Sequence, residues 1–212
     1  MLIIKKVKMS DETCLGEVID WLHGYHAQNV RLRTIFSKAR AMNMPQEITE
    51  YLAILIARRC GKDVVSSKFD DDGINMSGDA HTPPTGLKIK IQYYKNTVKC
   101  VVVPDEGTCK RVEIKNFTSV GPMSFGPDER WDILLVLDGI EHRDMKFKLY
   151  EIPYSNSSPV WSSIKMNKKE TFLEQCQQKR RPRISFNGVR DQLGENRCHL
   201  IWEGDIRDLL KS

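Results

Sequence analysis

Apolar residues recur at helical spacing in the first quarter of the chain. Over residues 12–41 they stand three and four positions apart, which predicts a helix with one apolar face. Gly24 is expected to divide this stretch, and Pro45 favours the start of a new helix after it. The second helix is predicted at residues 46–59, with Gly61 as its stop signal. The apolar positions of the two helices are Leu15, Val18, Ile19, Leu22, Val30, Leu32, Ile35, Phe36, Ile48, Leu52, Leu55 and Ile56.

The middle of the chain changes to the alternation that is typical of strands. LKIKIQYY and TVKCVVV, residues 87–94 and 97–103, predict a hairpin. CKRVEIKNF, residues 109–117, alternates between apolar and polar positions. DILLVLDGI, residues 132–140, is almost continuously apolar, as in a central strand that is covered on both faces. KFKLYEI, residues 146–152, predicts one more strand.

The last sixty residues mix helical and extended patterns. ETFLEQCQQ and NGVRDQL predict short helices, and RCHLIWEG predicts a strand or a packing segment. The order of helices, strands and helices indicates an α/β fold with a mixed central sheet flanked by helices. We interpret residues 1–212 as a single domain in three parts. These are a helical N-terminal part (1–60), a sheet part (61–152) and a C-terminal part (153–212).

Composition narrows the class of protein. Hydrophobic residues make up 40% of the chain and charged residues 29%, which indicates a folded globular protein. No apolar run approaches the roughly 18–20 residues that span a bilayer. The first residues, MLIIKKVKMSDE, do not resemble a secretion signal, so an intracellular location is expected. The six cysteines form no CxxC pair and are expected to be reduced thiols rather than zinc ligands.

Positive charge is concentrated in two segments. The net charge of +5 permits a polyanionic partner without requiring one. QQKRRPR, residues 177–183, is strongly basic, and a second cluster lies near the N-terminus. Both segments suit phosphate contacts, and a solvated charged face is an equally good reading of each. The second cluster comprises Arg31, Arg33, Lys38 and Arg40.

One constellation of charged residues can carry hydrolytic chemistry. Asp79 lies in a loop, and Glu113 and Lys115 flank Ile114 on a predicted strand, so their side chains share one face. If Asp79 begins a neighbouring strand, two carboxylates and one ammonium converge. Two carboxylates suit Mg²⁺, which acidifies water and polarises a phosphate, and a neighbouring lysine can position or activate that water. Glu50 is the best candidate for a supporting carboxylate from a helix, with Glu47 second.

An acid followed by Glu-x-Lys is a weak pattern, and an alternative stays open. LKIKIQ offers Lys90 as the partner of Asp79, in which case the hairpin contains the second active-site strand. If the hairpin is an insertion, Lys115 is the lysine. A solvated, charged strand edge is the reading without chemistry.

A longer block extends the pattern. It contains Gly78-Asp79, EIK at 113–115, Phe117, Ser119, GPMSFGP at 121–127, Glu129 and the pair Trp131-Asp132. This block resembles a family of small type II restriction endonucleases of the PD-(D/E)XK superfamily. EYLAILIA upstream and KLYEI, ETFLEQC and RRPRISF downstream are similar to family segments in the same order. The resemblance covers roughly residues 47–207.

The resemblance implies a restriction endonuclease-like core and a sequence-specific enzyme that cleaves double-stranded DNA with Mg²⁺. Asp79, Glu113 and Lys115 would be its cutting residues, with Asp79 and Glu113 as metal ligands. It also implies a homodimer and a cognate DNA methyltransferase in the same system. The distance from Asp79 to Glu113 is longer than the family pattern leads us to expect, because the hairpin lies between them.

Further residues are candidates for DNA contact. The GPMSFGP loop follows the catalytic strand and should lie near DNA, and the basic segment offers forked donors. Met42 and Met44 flank Asn43, and an exposed methionine there could wedge into a base step, but packing in the core is the preferred reading for both. His81 is interpreted as a surface residue. The DNA-contact candidates are Ser119, Ser124, Gln178, Lys179, Arg180, Arg181, Arg183 and Ser185.

Two other functions are compatible with the sequence. A DNA repair or junction-resolving nuclease on the same fold would prefer structured DNA to a short sequence. A DNA-binding protein without catalysis would show salt-sensitive binding and no cleavage. A nucleotide-binding enzyme lacks support, because the chain contains neither GxxxxGK[ST] nor GxGxxG.

Overall fold

The computed structural model describes most of the chain. The described residues are 10–38, 42–67, 79–85, 87–94, 97–104 and 108–211, with side chains described outside 86–107. Several predicted features lie outside them: Arg40, Gly78, the loop at 70–78, the turns at 95–96 and 105–107, and the side chain of Lys90.

The first helix, α1, is one continuous element from Asp11 to Ile35. Ser10 caps it, because its side chain accepts a hydrogen bond from the backbone N–H of Thr13 at 3.2 Å. The prediction that Gly24 divides the helix is wrong. A glycine inside a helix costs only about 1 kcal/mol, and the buried apolar face of α1 outweighs that cost.

The second helix, α2, spans Gln46–Arg59 as predicted. Gly61 follows it with φ of +75°, a left-handed conformation that glycine adopts without steric cost. The N–H of Lys62 donates to the carbonyl oxygen of Ala57 at 3.0 Å, which satisfies one of the last helical carbonyls. No helix in the described part of the chain combines the length and apolar character needed to cross a bilayer.

Among the described residues, six strands form the mixed central sheet, in the order β1-β2-β5-β7-β8-β10. β5 and β7 pair in parallel, and the other neighbours are antiparallel. The predicted hairpin is present as β3 and β4, which pair with each other in a separate two-stranded sheet. The strands are β1 Val65–Ser66, β2 Ala80–His81, β3 Leu87–Tyr94, β4 Thr97–Pro104, β5 Arg111–Phe117, β6 Pro122–Ser124, β7 Ile133–Asp138, β8 Lys146–Ile152, β9 Arg183–Ser185 and β10 His199–Asp205.

The C-terminal part contains two short helices, α3 at Phe172–Gln177 and α4 at Phe186–Leu193. Thr171 and Glu174 form a capping box at the start of α3, with each side chain bonded to the other residue's backbone. Short 3-10 helices lie at His142–Asp144, Pro159–Ser163 and Ile206–Leu210.

The central sheet is buried on both faces, as the apolar run of β7 predicts. Leu135 and Leu137 of β7 pack in one cluster with α1 and α2. Leu134 and Val136 point the other way, into a second cluster with α4 and several aromatic residues. The alternation of a strand therefore divides β7 between two cores, which confirms the predicted α/β architecture.

Candidate active site

Strand β5 presents Glu113 and Lys115 beside each other, as predicted from the alternation of a strand. Ile114, between them, points to the opposite face and is buried in the cluster with α1 and α2. Asp79 stands directly before β2, which pairs with β5 through Ala80 and Val112. The Oδ2 atom of Asp79 accepts a hydrogen bond from the N–H of Ile114 at 3.0 Å. The fold therefore brings Asp79 to the centre of β5.

The ammonium of Lys115 lies between two carboxylates. Its Nζ atom is 2.6 Å from Oε1 of Glu113 and 2.8 Å from Oε2 of Glu129. The side chains of Lys115 and Glu113 are only 14% and 11% exposed, so these charge-assisted bonds are shielded from water. Nζ also lies 5.4 Å from the centre of the Phe125 ring, at a distance that allows a cation–π contact.

Burial and neighbouring charges set the protonation of this group. Burial raises the pKa of Glu113 to about 7, because desolvation outweighs the attraction of Lys115, and the charges of Asp79 and Glu129 act in the same direction. Burial alone would lower the pKa of Lys115, but the carboxylates of Glu113 and Glu129 hold that pKa above its ordinary value. Lys115 is therefore a charged donor in this arrangement.

Glu129 is the site residue that sequence analysis missed. In the sequence it is one acid of the family-like block, and the pattern gives it no role. Asn156 fixes its backbone by donating from Nδ2 to the carbonyl oxygen of Glu129 at 2.9 Å. A Cβ atom on Gly126 would lie 2.9 Å from Oε1 of Glu129. Glycine at that position leaves room for the carboxylate that reaches Lys115.

The rest of the GPMSFGP…WD block builds the scaffold behind the site. Phe125 is fully buried and packs 5.7 Å from Trp131, measured between ring centroids. Asp132 accepts a hydrogen bond from the N–H of Arg111 at 2.9 Å, and its own N–H donates to the carbonyl oxygen of Arg111 at 2.9 Å. These two bonds tie the start of β5 to the segment that leads into β7.

The proposed supporting acids lie on α2. Glu50 is 1% exposed and accepts a hydrogen bond from the side chain of Gln46, whereas Glu47 is exposed. Burial of a carboxylate on the helix that packs against β5 agrees with the choice of Glu50 over Glu47. Its part in catalysis stays a prediction.

The alternative lysine lies in the separate hairpin. Backbone pairing places Lys90 opposite Val101 of β4, in a sheet whose described strands do not join the central one. Its side chain is outside the described residues. The strand beside Asp79 is therefore β5, and the choice of Lys115 as the catalytic lysine stays a prediction.

The two predicted DNA-contact segments meet in one small sheet. Strand β6 contains Ser124, and β9 contains Arg183, which pairs with it. Arg180 forms an ion pair with Glu170 at 2.5 Å, and the Oγ atom of Ser185 caps α4 by accepting from the N–H of Gly188 at 3.1 Å. Among the DNA-contact candidates, Ser124 is half-buried, and the exposed ones are Ser119, Gln178, Lys179, Arg180, Arg181, Arg183 and Ser185.

Two interpretations made from the sequence are wrong. His81 is fully buried in β2 rather than at the surface, because β2 lies between β1 and β5. Met42 is 39% exposed, so it is not a core residue, whereas Met44 packs against the core as expected.

The side chains of the site suit a hard divalent cation. Asp79, Glu113 and Glu129 offer carboxylate oxygens near one another, and the raised pKa of Glu113 shows that its negative charge is under-compensated. Within the described residues, no group of three or more His, Cys, Asp and Glu side chains is already arranged as a metal site. The fit therefore rests on the type of donor and not on coordination geometry.

The chain was compared with known protein families, curated proteins and solved structures. The sequence model of a family described as Bsp6I restriction endonuclease matches residues 11–189. That segment contains Asp79, Glu113, Lys115 and Glu129. A search of curated proteins and a search of solved structures found no match.

Proposed function

The chain belongs to the Bsp6I restriction endonuclease family, and on that premise we propose that Asp79, Glu113 and Lys115 form its DNA-cutting centre. Membership makes the protein a sequence-specific DNA endonuclease of the type II kind. The observation that carries the assignment of residues is the hydrogen bond from the N–H of Ile114 to Asp79. This bond brings the carboxylate from before β2 to the strand that holds Glu113 and Lys115.

We assign the binding of a divalent cation, Mg²⁺, to Asp79 and Glu113, with Glu50 as a supporting carboxylate. Both proposed ligands supply the hard oxygen atoms that this ion prefers. When bound, the ion supplies Lewis acidity toward the scissile phosphate and lowers the pKa of coordinated water. Ionised Glu113 is required for binding, so cutting should weaken below its pKa of about 7.

Lys115 acts on the attacking water and on the charge of the phosphate. Its Nζ atom is a charged donor in this structure, so it can hold a water oxygen in place and stabilise negative charge that develops on phosphate oxygens. To accept a proton from water, Nζ must first lose its own, and the carboxylate of Glu113 opposes that loss because it holds the lysine protonated. Positioning is therefore the role that the observed contacts support.

A homodimer follows from the chemistry of recognition. A palindromic DNA site has two-fold symmetry, and a pair of identical subunits matches it with one cutting centre for each strand. A methyltransferase of the same specificity would protect the host DNA. We assign the contacts with DNA to the segments that meet in the β6–β9 sheet and to Ser119.

The test is incubation of the purified protein with unmethylated plasmid and phage DNA, with Mg²⁺ or with a chelator. Lys115→Ala and Lys90→Ala are compared with the wild type, and Lys110→Ala, an exposed lysine before β5, is the matched control. Discrete Mg²⁺-dependent fragments are expected from all proteins except Lys115→Ala. Loss in Lys90→Ala alone would move the active-site lysine into the hairpin. No cutting by a folded wild type would refute the proposal.

A further inference from the structure

A cleft of about 440 Å³ lies beyond the end of β5, and none of its lining residues belongs to β6 or β9. Three features that appear unrelated in the sequence meet there: Arg33 of the N-terminal basic cluster, the Met42-Asn43 junction, and Ser119 after the catalytic strand. The turn at residues 142–144 adds Arg143, which no sequence pattern indicated. The fold thus assembles one surface from four separate segments.

The charge on the described residues that line the cleft is positive. Among its described lining residues there are two arginines and no aspartate or glutamate, although the chain has 28 acidic residues. Arg33 and Arg143 are exposed, and neither forms an ion pair with a described residue. Asn43, Thr118 and Ser119 add neutral hydrogen-bonding groups. Such a lining suits an anion with several oxygen atoms.

The walls of the cleft are fixed by hydrogen bonds rather than left as loose loops. Tyr25 donates from its hydroxyl to the carbonyl oxygen of Met42 at 2.6 Å, and Asn29 accepts from the N–H of Met42 at 2.7 Å. Nε2 of His26 lies 3.0 Å from the carbonyl oxygen of His142. These bonds hold the 42–43 junction and the turn at 142–144 against α1.

The histidines in the cleft contribute little positive charge. Burial, together with the nearby His26 and Arg143, lowers the pKa of His142 to about 4, and burial also lowers the pKa of His26. Near neutral pH the positive charge therefore comes from the two arginines, and it does not depend on pH.

The cleft lies close to the proposed cutting centre, and this closeness favours DNA phosphate as the anion that it binds. Ser119 follows Lys115 by four residues, so their Cα atoms are at most about 14 Å apart. Each nucleotide advances about 3.4 Å along a DNA strand, so a separation of about 14 Å corresponds to about four nucleotides. A volume of about 440 Å³ is in the range of pockets that hold a small ligand or a backbone segment.

We propose that this cleft binds backbone phosphates of the DNA a few nucleotides from the cut, through Arg33 and Arg143. The inference rests on the proposed function, because it takes the DNA at Lys115 as its starting point. These contacts set affinity and register but read no base, since phosphate contacts carry no direct sequence information. Loss of either arginine should weaken binding to all duplexes alike.

The test measures the binding of a labelled random-sequence DNA duplex by fluorescence anisotropy, in chelator, over a range of salt concentrations. Arg33→Ala and Arg143→Ala are each expected to reduce the slope of log K against log salt by about 1, and the double variant by about 2. Arg33→Lys and Arg143→Lys should keep the wild-type slope, because lysine retains the charge. Lys110→Ala, at the opposite end of β5, is the control and should leave the slope unchanged.

Two outcomes would contradict the inference and leave the proposed function standing. One is a wild type that cuts DNA while both arginine variants keep its salt slope. The other is an unchanged slope with a changed molecular mass in sedimentation, which would make the cleft a contact between copies of the chain. Failure of the wild type to cut in Mg²⁺ refutes the proposed function instead. Circular dichroism of the variants confirms that these exposed substitutions leave the fold intact.

Discussion

We predict that the ionised carboxylate of Glu113 lowers the free energy of unfolding, although DNA cutting requires it. Its carboxylate is almost buried, stands beside two other carboxylates, and is only partly compensated by Lys115. Glu113→Gln keeps the size and shape of the side chain and removes the charge. We therefore expect the variant to lose DNA cutting and to become more stable than the wild type in the absence of metal.

The magnitude follows from the two protonation equilibria. The carboxyl has a pKa of about 7 in the folded protein and an ordinary value of 4.5 in the unfolded chain. A tenfold change in an equilibrium is worth about 1.4 kcal/mol, so the ionised form costs the folded state up to about 3 kcal/mol. Since glutamine replaces a protonated carboxyl imperfectly and loses the contact with Lys115, we expect a gain of about 1–3 kcal/mol.

The sign and the pH window are fixed by the same values. A carboxyl with a raised pKa binds its proton more tightly when folded, so the wild type becomes more stable as the pH falls from 7 to 4.5. The advantage of Glu113→Gln is therefore complete above pH 7 and declines through that window. Below 4.5 both states of the wild type are protonated, and the charge-related advantage is gone.

Urea unfolding followed by circular dichroism, in chelator at about pH 8 and about pH 5, measures the effect. Glu203→Gln is the control, because that exposed acid pairs with Lys148 at the surface and should change stability by no more than about 0.5 kcal/mol. A Glu113→Gln variant that is less stable than the wild type at the higher pH would refute the reasoning. So would a gain of equal size at both pH values.

Three further predictions concern the groups around Lys115. Glu129→Gln should lower kcat by about 10- to 100-fold with little change in KM, because it frees Nζ from one of its two anchors. Gly126→Ala should lower kcat in the same direction with a smaller loss, since its Cβ displaces the Glu129 carboxylate; wild-type kcat in both variants would contradict a positioning role. Phe125→Ala should reduce the free energy of unfolding by about 3–5 kcal/mol, because the ring is fully buried between Trp131 and the aromatic residues of the second core. Urea unfolding tests that value, and a loss below about 1 kcal/mol would mean that the loop is not anchored by this ring.

Local pattern was sufficient for the elements that carry the site. Alternation along a strand depends only on the backbone, so the shared face of Glu113 and Lys115 could be predicted without knowing the partners of β5. The continuous apolar run of β7 likewise indicated burial on both faces, and the hairpin was recognisable from two alternating segments with a short turn between them.

Gly24 and His81 show where local reasoning failed. Helix propensity assigns glycine a cost, but the continuity of α1 is decided by the apolar face that it buries against the rest of the core. The burial of His81 depends on strands on both sides of β2, and those neighbours come from distant parts of the chain.

The amino-acid sequence by itself determined the strand that holds Glu113 and Lys115, the two helices before it and the family to which the chain belongs. Only the tertiary structure decided which carboxylates reach Lys115. Asp79 reaches β5 from a position 35 residues before Ile114, and Glu129 reaches Lys115 from a loop 14 residues after it. The physical reason is that periodicity reports how one segment turns about its own axis. The distance between two segments depends on the packing of the whole chain.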